Sequence, residues 1–305
     1  MTPRVSTIIP VYNGAVTVGA AIDSALAQDF DGQEIIVTND GSTDETAEVL
    51  AGYGSRIRVV SQKNRGVAAA RNAAAAIAGG EYLAFLDADD IWLDGKLLKA
   101  VAALEQNPAA GLSFSDFIRV DAIGRQIGIV RAERAPSMTD MLCQGWPIIP
   151  TVAVIRRSLF DAVNGFREEF GRNFGEDPYM WLVAREYAEF THIAEPLALY
   201  REPPIIEVGD KYEPGLIIFE RLVRERFAAR GAPLIRNSRA MFAHVFFAKA
   251  MIQARQRDWL GASRSLAKTI RYRPSFFFEP RNLVRFARAE NLAGLSKMFR
   301  RRKIA

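Results

Sequence analysis

Cysteine and histidine are nearly missing from this chain. Its 305 residues contain one cysteine, Cys143, and two histidines, His192 and His244. A single cysteine excludes an intramolecular disulfide and any multi-cysteine metal site. Cys143 is expected to be a small buried hydrophobe in a reducing compartment. The histidines lie far apart in sequence, from each other and from the acidic motifs below, so both are expected to be structural. Long apolar runs are also lacking. The best, residues 241–252, is broken by His244 and Lys249 and falls short of the ~20 residues that span a bilayer. The first residues show no basic segment followed by an apolar stretch and a small-residue cleavage site. The expected location is cytoplasmic, with peripheral attachment at the inner face of the membrane as a further option.

What is present is ordinary globular material: 49% apolar and 25% charged residues, which leaves enough for a buried core. The length suits one large α/β domain plus a smaller annex, here divided as residues 1–210 and 211–305. Charge follows the same division. Residues 1–210 carry 18 Lys+Arg against 29 Asp+Glu, a balance of −11, and residues 211–305 carry 22 against 6, or +16. A basic region of this kind can face anionic lipid, an acidic partner or nucleic acid. No nucleic-acid-binding motif accompanies it, so nucleic acid is the least favoured.

Along the first hundred residues, short apolar runs alternate with amphipathic ones. Strands are expected at 5–10, 34–38, 57–61 and 82–86, and helices at 15–28, 43–51 and 66–78. This β-α-β-α-β-α-β order implies a mostly parallel sheet with helices on both faces and ligands at the carboxyl ends of the strands. Three strand ends carry polar residues, namely Tyr12-Asn13, Asn39-Asp40 and Asp87-Ala88-Asp89-Asp90, and they are expected to converge. Residues 112–130 read as strand-turn-strand and 177–187 as a helix. Pro203, Pro204 and the Gly/Pro-bearing stretch to Gly215 read as a linker or mobile loop. Helices are expected at 216–229, 238–257, 259–272, 280–289 and 292–300, making an all-α annex.

Two readings stand for each acidic motif. In a strand successive side chains alternate sides, so Asp87 and Asp89 are expected to point the same way and share one ligand or ion, and hard carboxylate oxygens suit Mg²⁺ or Mn²⁺. The same residues also suit a solvated loop or helix cap. Asn39-Asp40-Gly41-Ser42-Thr43-Asp44 likewise makes a good helix entry without any function.

Taken together, Ser6-Thr7-Ile8-Ile9-Pro10-Val11-Tyr12-Asn13, then Asn39-Asp40-Gly41-Ser42-Thr43-Asp44, then Asn64-Arg65-Gly66 with Ala70-Arg71-Asn72, then Phe85-Leu86-Asp87-Ala88-Asp89-Asp90, and finally Gly175-Glu176-Asp177-Pro178-Tyr179-Met180-Trp181-Leu182 resemble the family 2 glycosyltransferases of the GT-A fold. The resemblance covers residues 4–201. It implies a nucleoside-diphosphate sugar donor, with a UDP-sugar favoured, and Mg²⁺ or Mn²⁺ as cofactor. Position by position, it implies that Pro10 and Tyr12 border the base and that Asp40 hydrogen-bonds it. Arg71 would lie near the diphosphate or brace Asp89. Asp87 would approach ribose and metal, and Asp89 would ligate the metal. Asp177 would be the catalytic base of an inverting reaction, held ionised by the helix dipole, with Glu176 as its orienting neighbour or rival.

The chain also departs from the family. Asn39 stands where many relatives carry Asp, and Glu202-Pro203-Pro204 follows Arg201 where many have a histidine that can reach the metal. The Gln-x-x-Arg-Trp motif of processive synthases is absent from the sequence, which favours transfer of a single sugar to a glycan or lipid-linked acceptor, as in cell-surface polysaccharide synthesis. The rival is a nucleotide-sugar-binding regulatory or assembly subunit that does not catalyse. Nucleotidyl transfer is disfavoured because no glycine-rich phosphate loop follows the first strand.

Overall fold

The computed structural model describes residues 3–132, 134–143, 148–202, 205–228 and 257–278, with isolated positions between 243 and 254. The chain divides into two compact units, one of Met1–Met138 with Trp146–Phe219, the other of Thr139–Gly145 with Glu220–Ala305.

The first unit starts with the expected alternation. Strand β1 (Val5–Val11) is buried along its whole length, as a central strand covered on both faces must be. It is followed by α1 (Val18–Leu26), β2 (Gln33–Asn39), α2 (Thr46–Ala51), β3 (Arg58–Ser61), α3 (Val67–Ile77) and β4 (Tyr82–Phe85). These strands form a parallel block in the order β3-β2-β1-β4. Pro10 lies within β1, but the pairing with β4 ends at Ile8, so the missing N–H interrupts no ladder there. Burying Ile8, Ile9, Ile36 and Val37 contributes about 1.5–3 kcal/mol each before chain entropy is charged against it.

Beyond β4 come β5 (Ile91–Trp92), α4 (Lys96–Gln106), β6 (Ala110–Val120), β7 (Gln126–Val130), α5 (Met138–Cys143), β8 (Ala153–Arg156), α6 (Arg157–Ala162), α7 (Glu176–Tyr187) and β9 (Glu189–Arg201). Strand β8 joins β4 to β6, antiparallel to both; β6 runs parallel to β9, and β5 closes the edge antiparallel to β9. The expected hairpin is β6–β7, with the Gly124 N–H donating to Asp121 O at 3.0 Å in its turn.

An aromatic cluster fixes α7 to this sheet. Phe85 meets Phe166 edge-on at 5.2 Å, and Phe166 meets Trp181 at 5.9 Å and 75°. Trp181 is fully buried, in keeping with a core role. The start of α7 is thereby held near the end of β4.

The linker expected up to Gly215 is instead helix. Helix α8 (Ile205–Phe227) runs through it and carries Pro214. Leu216, Phe219, Leu222, Val223 and Phe227 are buried, and this 3–4-residue apolar stripe outweighs the hydrogen bond lost at one proline.

In the second unit, α9 (Trp259–Tyr272) matches the expected bounds. Asp258 caps it by accepting from the Gly261 N–H at 2.8 Å. Phe247 packs on Phe276, and Phe246 stacks on Tyr272. The helices expected at 280–289 and 292–300, the basic residues at the chain end, His244 and the side chain of Cys143 lie outside the described residues. No helix among the described residues is long and apolar enough to cross a membrane.

Candidate active site at the carboxyl ends of the parallel strands

In the order β3-β2-β1-β4, connections leave β1 in opposite directions, so the crevice outside its carboxyl end is where a parallel sheet accepts ligands. Tyr12 follows β1 and is 46% exposed, unusual for an aromatic ring beside so apolar a strand. Asn13 adopts a left-handed conformation at φ 51°. Its N–H donates to Ser42 Oγ at 2.9 Å, and its Oδ1 accepts from the Thr43 N–H at 2.8 Å. Asp44 accepts from the Ala15 N–H at 3.1 Å. The loops after β1 and β2 are thus stitched together, and Asp44 also accepts from the Thr46 N–H at 3.1 Å at the start of α2, one position before the cap residue Glu45.

Asp40 is buried beneath them. Its Oδ1 accepts from Gln62 Nε2 at 2.7 Å and the Arg65 N–H at 2.9 Å, and its Oδ2 accepts from the Gly66 N–H at 2.8 Å. Position 66 must be glycine: its φ is +91°, and a Cβ there would come within 2.0 Å of Gly171 O. Asp40 therefore sets the path into α3, whose first turns carry Arg71.

Arg71 is 2% exposed. Neighbouring alanines on α3 are small enough to let the helix lie close to the sheet. Arg71 Nη2 donates to Asp87 Oδ1 at 2.6 Å, Nη1 donates to Glu176 Oε1 at 2.9 Å, and the guanidinium lies over the Phe166 ring at 5.1 Å. Burial alone would lower its pKa, but Asp87 and Glu176 outweigh that and hold it above the ordinary arginine range. The bracing expected towards Asp89 falls on Asp87 and Glu176, because α7 brings Glu176 to the same guanidinium.

Asp87–Asp90 is a turn, not a continued strand. Strand β4 ends at Phe85, and the Asp90 N–H donates to Asp87 O at 3.0 Å. The alternation invoked for Asp87 and Asp89 therefore does not apply. Asp87 is partly buried and Asp89 exposed. Asp90 is fully buried, accepting from Thr151 Oγ1 and, at 2.8 Å, from the Arg201 N–H. Burial, then the charges of Asp89 and Asp87, push its pKa well above the usual carboxylate range.

Asp177 stands beside Glu176 in the first turn of α7. It was expected to be held ionised by the helix dipole, but stronger influences at this position act the other way. Burial first, then the charge of Glu176, raise its pKa well above the ordinary range despite the pull of Arg71. Desolvation next to a like charge outweighs a terminal dipole.

Residues 6–188 match the family model for Glycosyl transferase family 2. The chain belongs to glycosyl transferase family 2. It is 30% identical over 229 residues to the uncharacterized glycosyltransferase EpsJ of Bacillus subtilis (strain 168), covering 71% of this chain and 66% of EpsJ. It is 45% identical over 106 residues to an uncharacterized glycosyltransferase of Rickettsia felis (strain ATCC VR-1525 / URRWXCal2), covering 34% of this chain and 18% of that protein. The chain thus spans less than two thirds of the length of either relative. Among solved structures, it resembles S. aureus TarS 1-349 in complex with UDP-GlcNAc, with a TM-score of 0.57 at 15% identity over 90% of this chain and 91% of that one. It also resembles the mannosyltransferase PcManGT from Pyrobaculum calidifontis in complex with GDP-Man and Mn²⁺, with a TM-score of 0.55 at 17% identity over 97% and 86%. These likenesses show the fold, which is the expected GT-A arrangement.

In this family 2 chain, Asp87 and Asp89 are the carboxylates that would hold a divalent cation of the kind that takes only one or two carboxylates and leaves its other positions to phosphate oxygens and water. Among the described residues, no group of three or more His, Cys, Asp or Glu side chains is arranged to hold a metal. His192 is elsewhere: its Nε2 lies 2.7 Å from Asp116 Oδ1, and its ring stacks on Phe114. A cleft of about 800 Å³ lined by Asn72, Arg157, Phe160, Asp161 and Glu168 holds none of the predicted site residues. Its Arg157 is occupied by the carbonyls of Ala75, Ala78 and Gly80.

Two supporting residues were not found by sequence reasoning. Thr151 accepts from the Asp87 N–H at 3.2 Å and donates to Asp90. Arg201 Nε donates to Asp89 O at 3.0 Å. Neither stands in an acidic motif, and only the meeting of the turn before β8 and the end of β9 with the Asp87–Asp90 turn gives them away.

Proposed function

We propose that this chain is an inverting, divalent-metal-dependent glycosyltransferase that moves a single sugar from a nucleoside-diphosphate sugar, with a UDP-sugar favoured, to a glycan or lipid-linked acceptor. The observation that carries the reading is the Arg71 bridge. One buried guanidinium holds Asp87, on the donor side, and Glu176, the neighbour of Asp177, so the donor and the base are positioned by the same side chain. That UDP-GlcNAc is bound to TarS, and GDP-Man with Mn²⁺ to PcManGT, supports a nucleotide-sugar donor.

Pro10 and Tyr12 border the base. Asp40 Oδ2 carries one hydrogen bond, which leaves an acceptor site for a base N–H. Asp89 and Asp87 would hold Mg²⁺ or Mn²⁺, which when bound supplies Lewis-acid neutralisation of the diphosphate. Asp177 takes the proton from the acceptor hydroxyl as its oxygen bonds to the anomeric carbon. The bond from that carbon to the phosphate oxygen breaks, and the nucleoside diphosphate leaves with the electron pair. Attack opposite the leaving group inverts the anomeric centre.

Titration calorimetry with UDP-, GDP- and dTDP-sugars, with and without Mn²⁺, tests the donor. One of them is expected to bind only with metal, and Asp89→Ala to weaken that binding by roughly tenfold or more. Absence of binding by all three would overturn the reading. The +16 balance of residues 211–305 is proposed to dock on anionic lipid near such an acceptor. Full-length protein should then co-sediment with anionic but not neutral vesicles at low salt, and failure to do so would remove the membrane from the proposal.

A further inference from the structure

Arg172 lies in the segment between α6 and α7, outside every motif discussed so far. Its guanidinium lies over the Tyr12 ring, 5.7 Å from the centroid. Its Nε donates to Asn64 Oδ1 at 3.0 Å, so a residue from this segment reaches the loops after both β1 and β3. Among the described residues, the two terminal amino groups of Arg172 have no protein acceptor, and the side chain is exposed. The segment is itself strapped to the β3–α3 loop. Arg65 Nη2 donates to Glu168 Oε2 at 2.6 Å, and Gly171 O packs against Gly66 so closely that a Cβ would not fit. Arg172 is thus a pinned cation aimed over the exposed aromatic ring at the crevice mouth, with donors to spare.

We propose that Arg172 recognises the donor nucleotide: its two free amino groups bond phosphate oxygens of a nucleoside diphosphate whose base lies against Tyr12. The chemistry is that of a planar fork meeting an oxyanion, with the aromatic face holding the guanidinium ready. Tyr12, Asn64 and the backbone at Gly66 position it, and Asp40 holds that backbone. This inference rests on the glycosyl-transfer reading, because only that reading brings a diphosphate to Tyr12.

The test measures UDP binding with Mn²⁺ to the full-length chain by calorimetry, for wild type, Arg172→Ala, Arg172→Lys and Asn64→Ala. Loss of charge-assisted bonds to phosphate should weaken UDP by roughly tenfold in Arg172→Ala. Arg172→Lys should recover part of the loss, and Asn64→Ala should lose less because the charge is kept. In turnover, the donor KM should rise more than kcat falls. Unfolding midpoints should match wild type, since Arg172 is exposed. UDP affinity of Arg172→Ala equal to or tighter than that of wild type would overturn the assignment while leaving the glycosyl-transfer reading in place. A wild-type chain that binds neither UDP nor any other nucleoside diphosphate would sink both.

Discussion

Asp177→Asn is expected to lower turnover by roughly 10²–10⁴-fold, the usual worth of a positioned general base, with donor binding retained. The amide keeps the shape of the side chain but cannot accept the proton of the acceptor hydroxyl. The same residue sets the pH profile. Its pKa is raised by burial and by Glu176, so the base is active only above that raised value. Turnover should therefore fall with acid at a pH above the ordinary carboxylate range, and this limb should vanish in Asp177→Asn. The stability sign is opposite. The folded state binds the Asp177 proton more tightly than the unfolded state, so stability falls as pH rises from the unfolded pKa through the folded one. Asp177→Asn removes that penalty, and its urea midpoint at neutral pH should not drop. Turnover in Asp177→Asn equal to that of wild type would move the base to Glu176 or elsewhere.

The parallel block was legible because its strands are short apolar runs ended by polar residues, and because the alanine-rich stretch of α3 has one period and no breaker. Helix α9 was legible to the residue because Asp258 caps its start and Pro274 lies just past its end. The candidate site was legible as separate motifs and illegible as an assembly. Arg71 meets Asp87, 16 positions away, and Glu176, 105 positions away, and nothing local records the second meeting. Strand alternation was the wrong ground for placing Asp87 and Asp89 on one face, because apolar periodicity does not show where a backbone leaves the ladder; the hydrogen bonds of Asp90 with Asp87, Thr151 and Arg201 decide that. The stretch before Gly215 was misread because proline and glycine mark a break that is common and not obligatory, and the apolar stripe of α8 begins only after them, at Leu216. Arg172 carries no sequence signal, since its partners Tyr12 and Asn64 come from loops brought together by the sheet.

Arg71→Met should cost the most stability of any single change at the site, about 3–5 kcal/mol by comparison with other buried ion pairs broken on one side. The ion pair itself need not stabilise the fold, because desolvating three charges offsets much of their attraction. The cost lies in what remains. With the guanidinium gone, Asp87, Glu176 and Asp177 are left as neighbouring carboxylates with no cation between them, and Phe166 loses the charge stacked on its face. Those carboxylates would take up protons to relieve the repulsion, so the folded variant binds more protons than its unfolded chain near neutrality. Its deficit should therefore shrink as pH falls, unlike the pH-independent loss expected of a simple cavity. Arg71→Lys should recover only part, because an ammonium cannot fork to two carboxylates on different elements at once. Urea unfolding of the three proteins at several pH values checks this. A Met variant as stable as wild type at neutral pH would mean that the carboxylates find another counter-charge, and the Arg71 bridge could then no longer be the reason that donor and base sit together.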